Sequence, residues 1–184
     1  MTIAILGAGA FGTALAVTLA RKGLQVVLWT RSRDEAARMA RARVNEGRLP
    51  GVNLPETVSV TAESLSGRDF DAVLLAVPMQ QLAPLLADWG GRLDGAPLVG
   101  CAKGFDLRSG SGSATIIGDA CPASPVAVLT GPSFAVDIAR GLPTALTIAC
   151  RDERTGNFAR RAAQVRVNYL GYPGTMGAPY IDYV

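Results

Sequence analysis

Gly7, Gly9 and Gly12 stand at G-x-G-x-x-G spacing in the stretch AILGAGAFGTALA, behind an apolar run at residues 2–6 and ahead of good helix formers. That spacing carries a chemistry. The first glycine allows a tight turn, the second lets the main chain approach a diphosphate, and the third lets helix pack closely on strand. Free amides and the positive end of the helix then hold the anion. A second candidate is Lys103, in PLVGCAKG: Lys22 and Lys103 are the only lysines among eighteen basic residues, so lysine is not routine surface filler in this chain. A third is Ser133, in TGPSFA, where Thr130 ends an apolar run, Gly131 and Pro132 turn the chain, and the serine offers a hydroxyl and an amide to an anion. The same residues also suit a plain strand-to-helix turn held by a serine hydrogen bond.

These groups cooperate only if one scaffold brings them to one edge. Strands are expected over residues 2–6, 24–30, 58–61, 71–78 and 97–104, with 125–135 repeating the form of a strand that runs into polar and glycine residues. Helices are expected over 11–22, ended by Gly23, and over 34–44 and 82–89. Residues 45–57 read as a turn-rich loop punctuated by Pro50, Gly51 and Pro55. The alternation predicts an α/β fold, a Rossmann-type doubly wound and mostly parallel sheet, over residues 1–150. In such sheets ligands lie beyond the carboxyl ends of the strands, where Gly7, Lys103 and Ser133 all fall.

Composition narrows the chemistry. At 184 residues, 49% apolar and 18% charged, the chain can bury a full core. Its net charge of +3 is spread along the chain, so nucleic acid is not an expected partner. There is no histidine, which removes imidazole as acid, base or metal ligand. Cys101, Cys121 and Cys150 are odd in number and widely spaced, so neither a disulfide framework nor a metal site is expected, and a reduced, cytoplasmic setting is. Arg21 and Lys22 follow the apolar start instead of preceding it, the reverse of a secretory signal, and the glycines disfavour a membrane span.

A Rossmann turn implies NAD or NADP. An NAD site usually offers an acid about 20 residues beyond the glycines. Here the second strand runs into Trp29, Thr30, Arg31, Ser32 and Arg33, with no acid before Asp34. Arg31 and Arg33 suit a 2′-phosphate, or are solvated at a helix start. Hydride transfer to a ketone needs a positive group or proton donor near the carbonyl oxygen. With histidine absent, and no tyrosine followed four residues later by lysine, Lys103 is the candidate catalytic residue.

The stretches GAGAFGTALA, VVLWTR, LPGVNLP, AVP, AKG and GPSFAVDIARGLPTA, in this order, resemble the amino-terminal part of the bacterial-type NAD(P)-dependent glycerol-3-phosphate dehydrogenases over about residues 1–150. The resemblance implies hydride transfer between NAD(P)H and dihydroxyacetone phosphate, in the supply of glycerophospholipid precursors. It further implies that Ala10, Phe11 and Arg31 contact the cofactor and that Lys103 touches cofactor and substrate. Gly131 and Ser133 would meet the glycerol phosphate, and Ala135 would lie on the nicotinamide side. Arg48 stands where the family often has an aromatic residue, and Asp137 where it usually has glutamate.

The family continues into a helical domain that supplies a second lysine in a Gly-x-x-Leu-Lys-Asn stretch, which this chain lacks. Residues 151–184 are expected to be a divergent or truncated tail, as in a fragment, a degenerate product or a recruited domain. Turnover is expected to be poor unless another chain completes the site, and apolar surface left uncovered would favour a homo-oligomer, with Phe158, Tyr169, Tyr172 and Tyr180 as candidate cover. A non-catalytic NAD(P)-binding module and a ketopantoate-reductase-like enzyme are the alternatives, the second disfavoured by GPSFA and LPGVNLP.

Overall fold

The computed structural model describes residues 1–150 and the two-residue strand Ile181–Asp182. The candidate tail aromatics lie outside these residues. The chain begins with strand β1 (Thr2–Leu6), helix α1 (Ala10–Arg21), strand β2 (Gln25–Trp29) and helix α2 (Arg33–Ala42). A hairpin follows, β3 (Val44–Asn45) and β4 (Leu49–Asn53), then β5 (Val58–Thr61), β6 (Ala72–Leu75) and α3 (Met79–Leu93). The remainder is β7 (Leu98–Gly100), α4 (Ser113–Ala120), β8 (Val126–Thr130), α5 (Ala135–Arg140), β9 (Thr147–Cys150) and β10 (Ile181–Asp182).

Eight strands form one sheet in the order β10-β9-β8-β7-β6-β1-β2-β5. β5, β2, β1, β6, β7 and β8 run parallel, whereas β9 pairs antiparallel with β8, and β10 with β9. The chain winds outward from β1 through β2 to β5, then returns to lay β6 on the other side of β1. That reversal opens a crevice beyond the carboxyl ends of β1 and β6, as the doubly wound reading requires.

The two-residue period of β1 builds the layers. Ile3 and Ile5 join Leu15, Leu19 and Leu28 on one face, beneath α1, while Ala4 and Leu6 join Leu75, Leu82, Leu86 and Ile117 on the other, beneath α3 and α4. Fully buried side chains of this size each stabilise the fold by roughly 1.5–3 kcal/mol. α1 ends in a paired-carbonyl motif: Gly23, at φ 84°, donates its amide to Ala20 O, and Leu24 donates to Leu19 O.

Five expectations need correcting. The strands expected over 71–78 and 97–104 are shorter, ending at Leu75 and Gly100, where the chain leaves the sheet for the crevice loops. Residues 45–57 are not wholly loop. They contain β4, paired with β3 outside the main sheet, where Pro50 is tolerated because no further strand needs its missing N–H. α3 runs well beyond 82–89 at both ends, with Pro84 inside it, because buried Leu82, Leu86, Trp89 and Leu93 offset a break worth about 3 kcal/mol. α2 stops at Ala42 instead of 44, since Arg43 takes φ 54° and turns Val44 into the hairpin.

Candidate functional site

The crevice begins at the glycine turn. Gly7 adopts φ 120° and donates its amide to Trp29 O at 3.0 Å; a Cβ there would lie 2.5 Å from Ala76 O, at the end of β6. At Gly12 a Cβ would fall 2.0 Å from Gly7 O, so α1 can sit against the turn only through glycine. Gly9 differs: a Cβ would meet nothing within 4 Å. It is the N-cap of α1, no side chain caps the helix, and no acid stands in its first turn. The first amides of a helix have no intrahelical partner. The cradle is therefore open, lined by backbone N–H groups and free of negative charge, which is the fit a diphosphate requires. Ala10 and Phe11 form that first turn and are half-buried.

At the end of β2, Ser32 caps α2 by accepting from Glu35 N at 3.2 Å, and the Thr30 hydroxyl donates to the Glu35 carboxylate. Glu35 is thereby tied to the end of β2, while Asp34, the first acid after the strand, is exposed and has no partner among the described residues. Arg31 is exposed and has no partner among the described residues, whereas Arg33 pairs with Glu63 at 3.4 Å. The two arginines thus differ: one is free for an anion and the other is already shared.

Beyond β7 and β8 lies the second half of the site. Lys103 Nζ donates to Gly131 O at 2.8 Å, and Ser133 N donates to the same carbonyl at 3.0 Å. One oxygen thus ties together the three residues that sequence reading took from two separate stretches. Gly131 sits at φ 147°, where a Cβ would lie 2.3 Å from Ala145 O, so the turn is closed tightly against the approach to β9. Ser133 Oγ is buried without a hydrogen-bond partner, an unmet polar group on the residue whose amide shares the Gly131 carbonyl with Lys103. Ala135 opens α5, one residue past Phe134. Cys101, at the base of the Lys103 loop, is no nucleophile, because burial pushes its thiol up to about 12.

Sequence reasoning missed the groups that hold these loops. Gln80, on the first turn of α3, donates from Nε2 to Phe105 O at 2.9 Å and accepts from Leu107 N at 3.0 Å. Asp106 Oδ2 accepts from Arg108 N, Ser109 N and Ser109 Oγ, and the Ser109 amide is the main cause holding this carboxyl below its ordinary range. The run D-L-R-S-G carries the turn signal for Asp106; nothing local marks Gln80.

Strand order and glycine turn together define a Rossmann-type dinucleotide-binding domain. The family of the NAD-dependent glycerol-3-phosphate dehydrogenase N-terminus matches residues 2–156, and the chain belongs to that family. A glycerol-3-phosphate dehydrogenase [NAD(P)+] of Paracoccus denitrificans is 53% identical over 161 residues, covering 88% of this chain and 49% of the relative. The corresponding enzyme of Ruegeria sp. is 49% identical over 156 residues, covering 85% and 48%. Among solved structures, glycerol-3-phosphate dehydrogenase from Coxiella burnetii superposes with a TM-score of 0.80 at 32% identity, covering 88% of this chain and 50% of that one. The chain spans about half the length of the curated relatives it matches.

Proposed function

We propose that this chain provides the cofactor-binding part, and one side of the substrate site, of an NAD(P)-dependent glycerol-3-phosphate dehydrogenase, with residues 1–150 acting as the binding unit. The observation that carries the reading is the shared Gly131 carbonyl, which ties Lys103 to Ser133 at the carboxyl edge of the same sheet that carries the open glycine turn. Gly7, Gly9, Ala10, Phe11 and Gly12 would receive the dinucleotide's diphosphate, Arg31 and Arg33 would face its adenosine ribose, and Ala135 would lie by the nicotinamide. When bound, the nicotinamide supplies the hydride. Lys103 holds positive charge where a carbonyl oxygen becomes an alkoxide, and Ser133 and Gly131 orient the phosphorylated substrate.

The chain's other lysine does not assist. Lys22 caps the far end of a twelve-residue helix, roughly 18 Å from the turn at 1.5 Å per residue. The proton for the alkoxide must come from elsewhere, so we expect slow turnover by this chain alone. Dihydroxyacetone phosphate is the proposed oxidant and glycerol 3-phosphate the product, serving glycerophospholipid precursor synthesis. A cytoplasmic location accords with the buried free thiols of Cys101 and Cys121; among the described residues no helix is long and apolar enough to cross a membrane. Exposed Phe105, Leu107 and Phe134 on the loops of the same edge support self-association.

Calorimetric titration with NADPH and NADH, followed by glycerol 3-phosphate, tests this. Binding of at least one dinucleotide is expected, then a further heat with glycerol 3-phosphate that Lys103→Met removes. No heat from either dinucleotide would refute the reading, and rapid NADPH oxidation by dihydroxyacetone phosphate would refute the incomplete proton path.

A further inference from the structure

We propose that Asn45, in the β3–β4 hairpin, is a positioning residue that aims the glycine turn at the diphosphate; this rests on the dinucleotide reading above. The hairpin stands outside the main sheet, yet Asn45 is 2% exposed. Its Nδ2 donates to Ala8 O at 2.9 Å and to Thr13 Oγ1 at 2.8 Å. These acceptors straddle the turn. Ala8 lies between the first two glycines, and Thr13 is the residue whose amide closes the first helical bond, to Gly9 O at 2.9 Å.

Peptide planarity turns the first contact into an aiming device. The Ala8 carbonyl and the Gly9 N–H belong to one trans peptide unit and point in opposite directions. Drawing the carbonyl inward onto Asn45 sends the Gly9 amide the opposite way, and that amide has no acceptor among the described residues. The second contact fixes the first turn of α1 relative to the same carboxamide. Asn45 is itself held from both sides. Leu49, 1% exposed, is wedged with Ala14, Ile138 and Ala139. The Arg43 guanidinium donates to the carbonyls of Leu54, Pro55 and Val58, while Leu54 N donates back to Arg43 O. The hairpin thus acts as a bracket whose one polar finger reaches the cofactor turn.

The test is calorimetric affinity of the full chain for whichever of NADPH and NADH the wild type binds more tightly. Asn45→Ala should weaken binding about tenfold, and Thr13→Val, which removes one acceptor at constant volume, about threefold. Thr13→Ser, which restores the hydroxyl but not the methyl, should bind like wild type. Wild-type affinity in Asn45→Ala would overturn the proposal. Equal losses in Thr13→Ser and Thr13→Val would overturn it too, since affinity would then follow packing and not the hydroxyl. Should Asn45→Ala fail to fold, the two Thr13 variants decide the matter. Absence of dinucleotide binding by the wild type would overturn the functional reading and this proposal together, whereas normal binding by Asn45→Ala would overturn this proposal alone.

Discussion

The second and third glycines of the turn should fail in opposite ways when each gains a methyl group. Gly9 has φ −70° and ψ 179°, which alanine adopts without strain, and its Cβ meets nothing within 4 Å. Gly9→Ala should therefore leave the unliganded fold intact, or stabilise it by about 0.4–1 kcal/mol through the unfolded state. Gly12→Ala forces a Cβ to 2.0 Å from Gly7 O, so main chain must move. Overpacking against backbone costs about 3 kcal/mol, the upper end of the usual range. At about 2–4 °C per kcal/mol for a chain of this size, that is a fall in Tm of roughly 6–12 °C. The ligand effect runs the other way. NADPH at a hundredfold over its Kd stabilises wild type by about 2.7 kcal/mol. By the same conversion its Tm should rise roughly 5–11 °C. In Gly9→Ala the added methyl would occupy space the proposed diphosphate needs, and the rise should vanish. Thermal unfolding followed by circular dichroism, with and without NADPH, reads both effects. A full NADPH-induced rise in Gly9→Ala, or an unliganded Tm as low as that of Gly12→Ala, would refute the reasoning.

Other perturbations isolate single contacts. Glu63→Gln releases Arg33 from its ion pair, and should raise NADPH affinity relative to NADH, read as the ratio of the two Kd values. Because that pair is exposed, stability should stay within about 0.5 kcal/mol. Asp106 titrates lower in the folded chain than when unfolded, so its contribution to stability is present above the unfolded value near 3.9 and is lost as pH falls through the folded value. Asp106→Asn should accordingly be less stable than wild type at pH 7, with the gap closing in acid, as denaturant titrations at several pH values will record.

How much of this the sequence disclosed depended on whether the signal was local. The first βαβ unit is spelled out residue by residue: β-branched runs, a glycine triplet in its required context and Gly23 as terminator all agree. The switch in strand order then follows from chain economy, and with it the edge where Lys103 and Ser133 meet. Their common tether, Gly131 O, was invisible because a carbonyl has no letter in the sequence. The hairpin was hidden by Pro50 and Gly51, which mark turns in most settings, and α3 by Pro84 and the Gly90-Gly91 pair. In α3 a buried face overrode local propensity, and in the hairpin pairing with β3 and the single buried Leu49 did so. Neither α4 nor the antiparallel β9 is legible in the sequence, the first being only eight residues and the second four. Asn45 and Gln80 act on residues 37 and 25 positions away, so no windowed pattern reaches them.

One joint in the molecule bears on how the proposed site can work. α1, which carries the glycine turn, is bonded directly to α5, which follows Ser133: the Thr18 hydroxyl donates to Ile138 O at 3.2 Å, and the Arg21 guanidinium donates to Ala139 O. Leu49 fills the seam between them. Dinucleotide and phosphoester would thus rest on a single anvil whose two faces cannot drift apart as reactants arrive or products depart. Any squeezing of the reactants toward one another must then be a hammer stroke delivered from outside this seam.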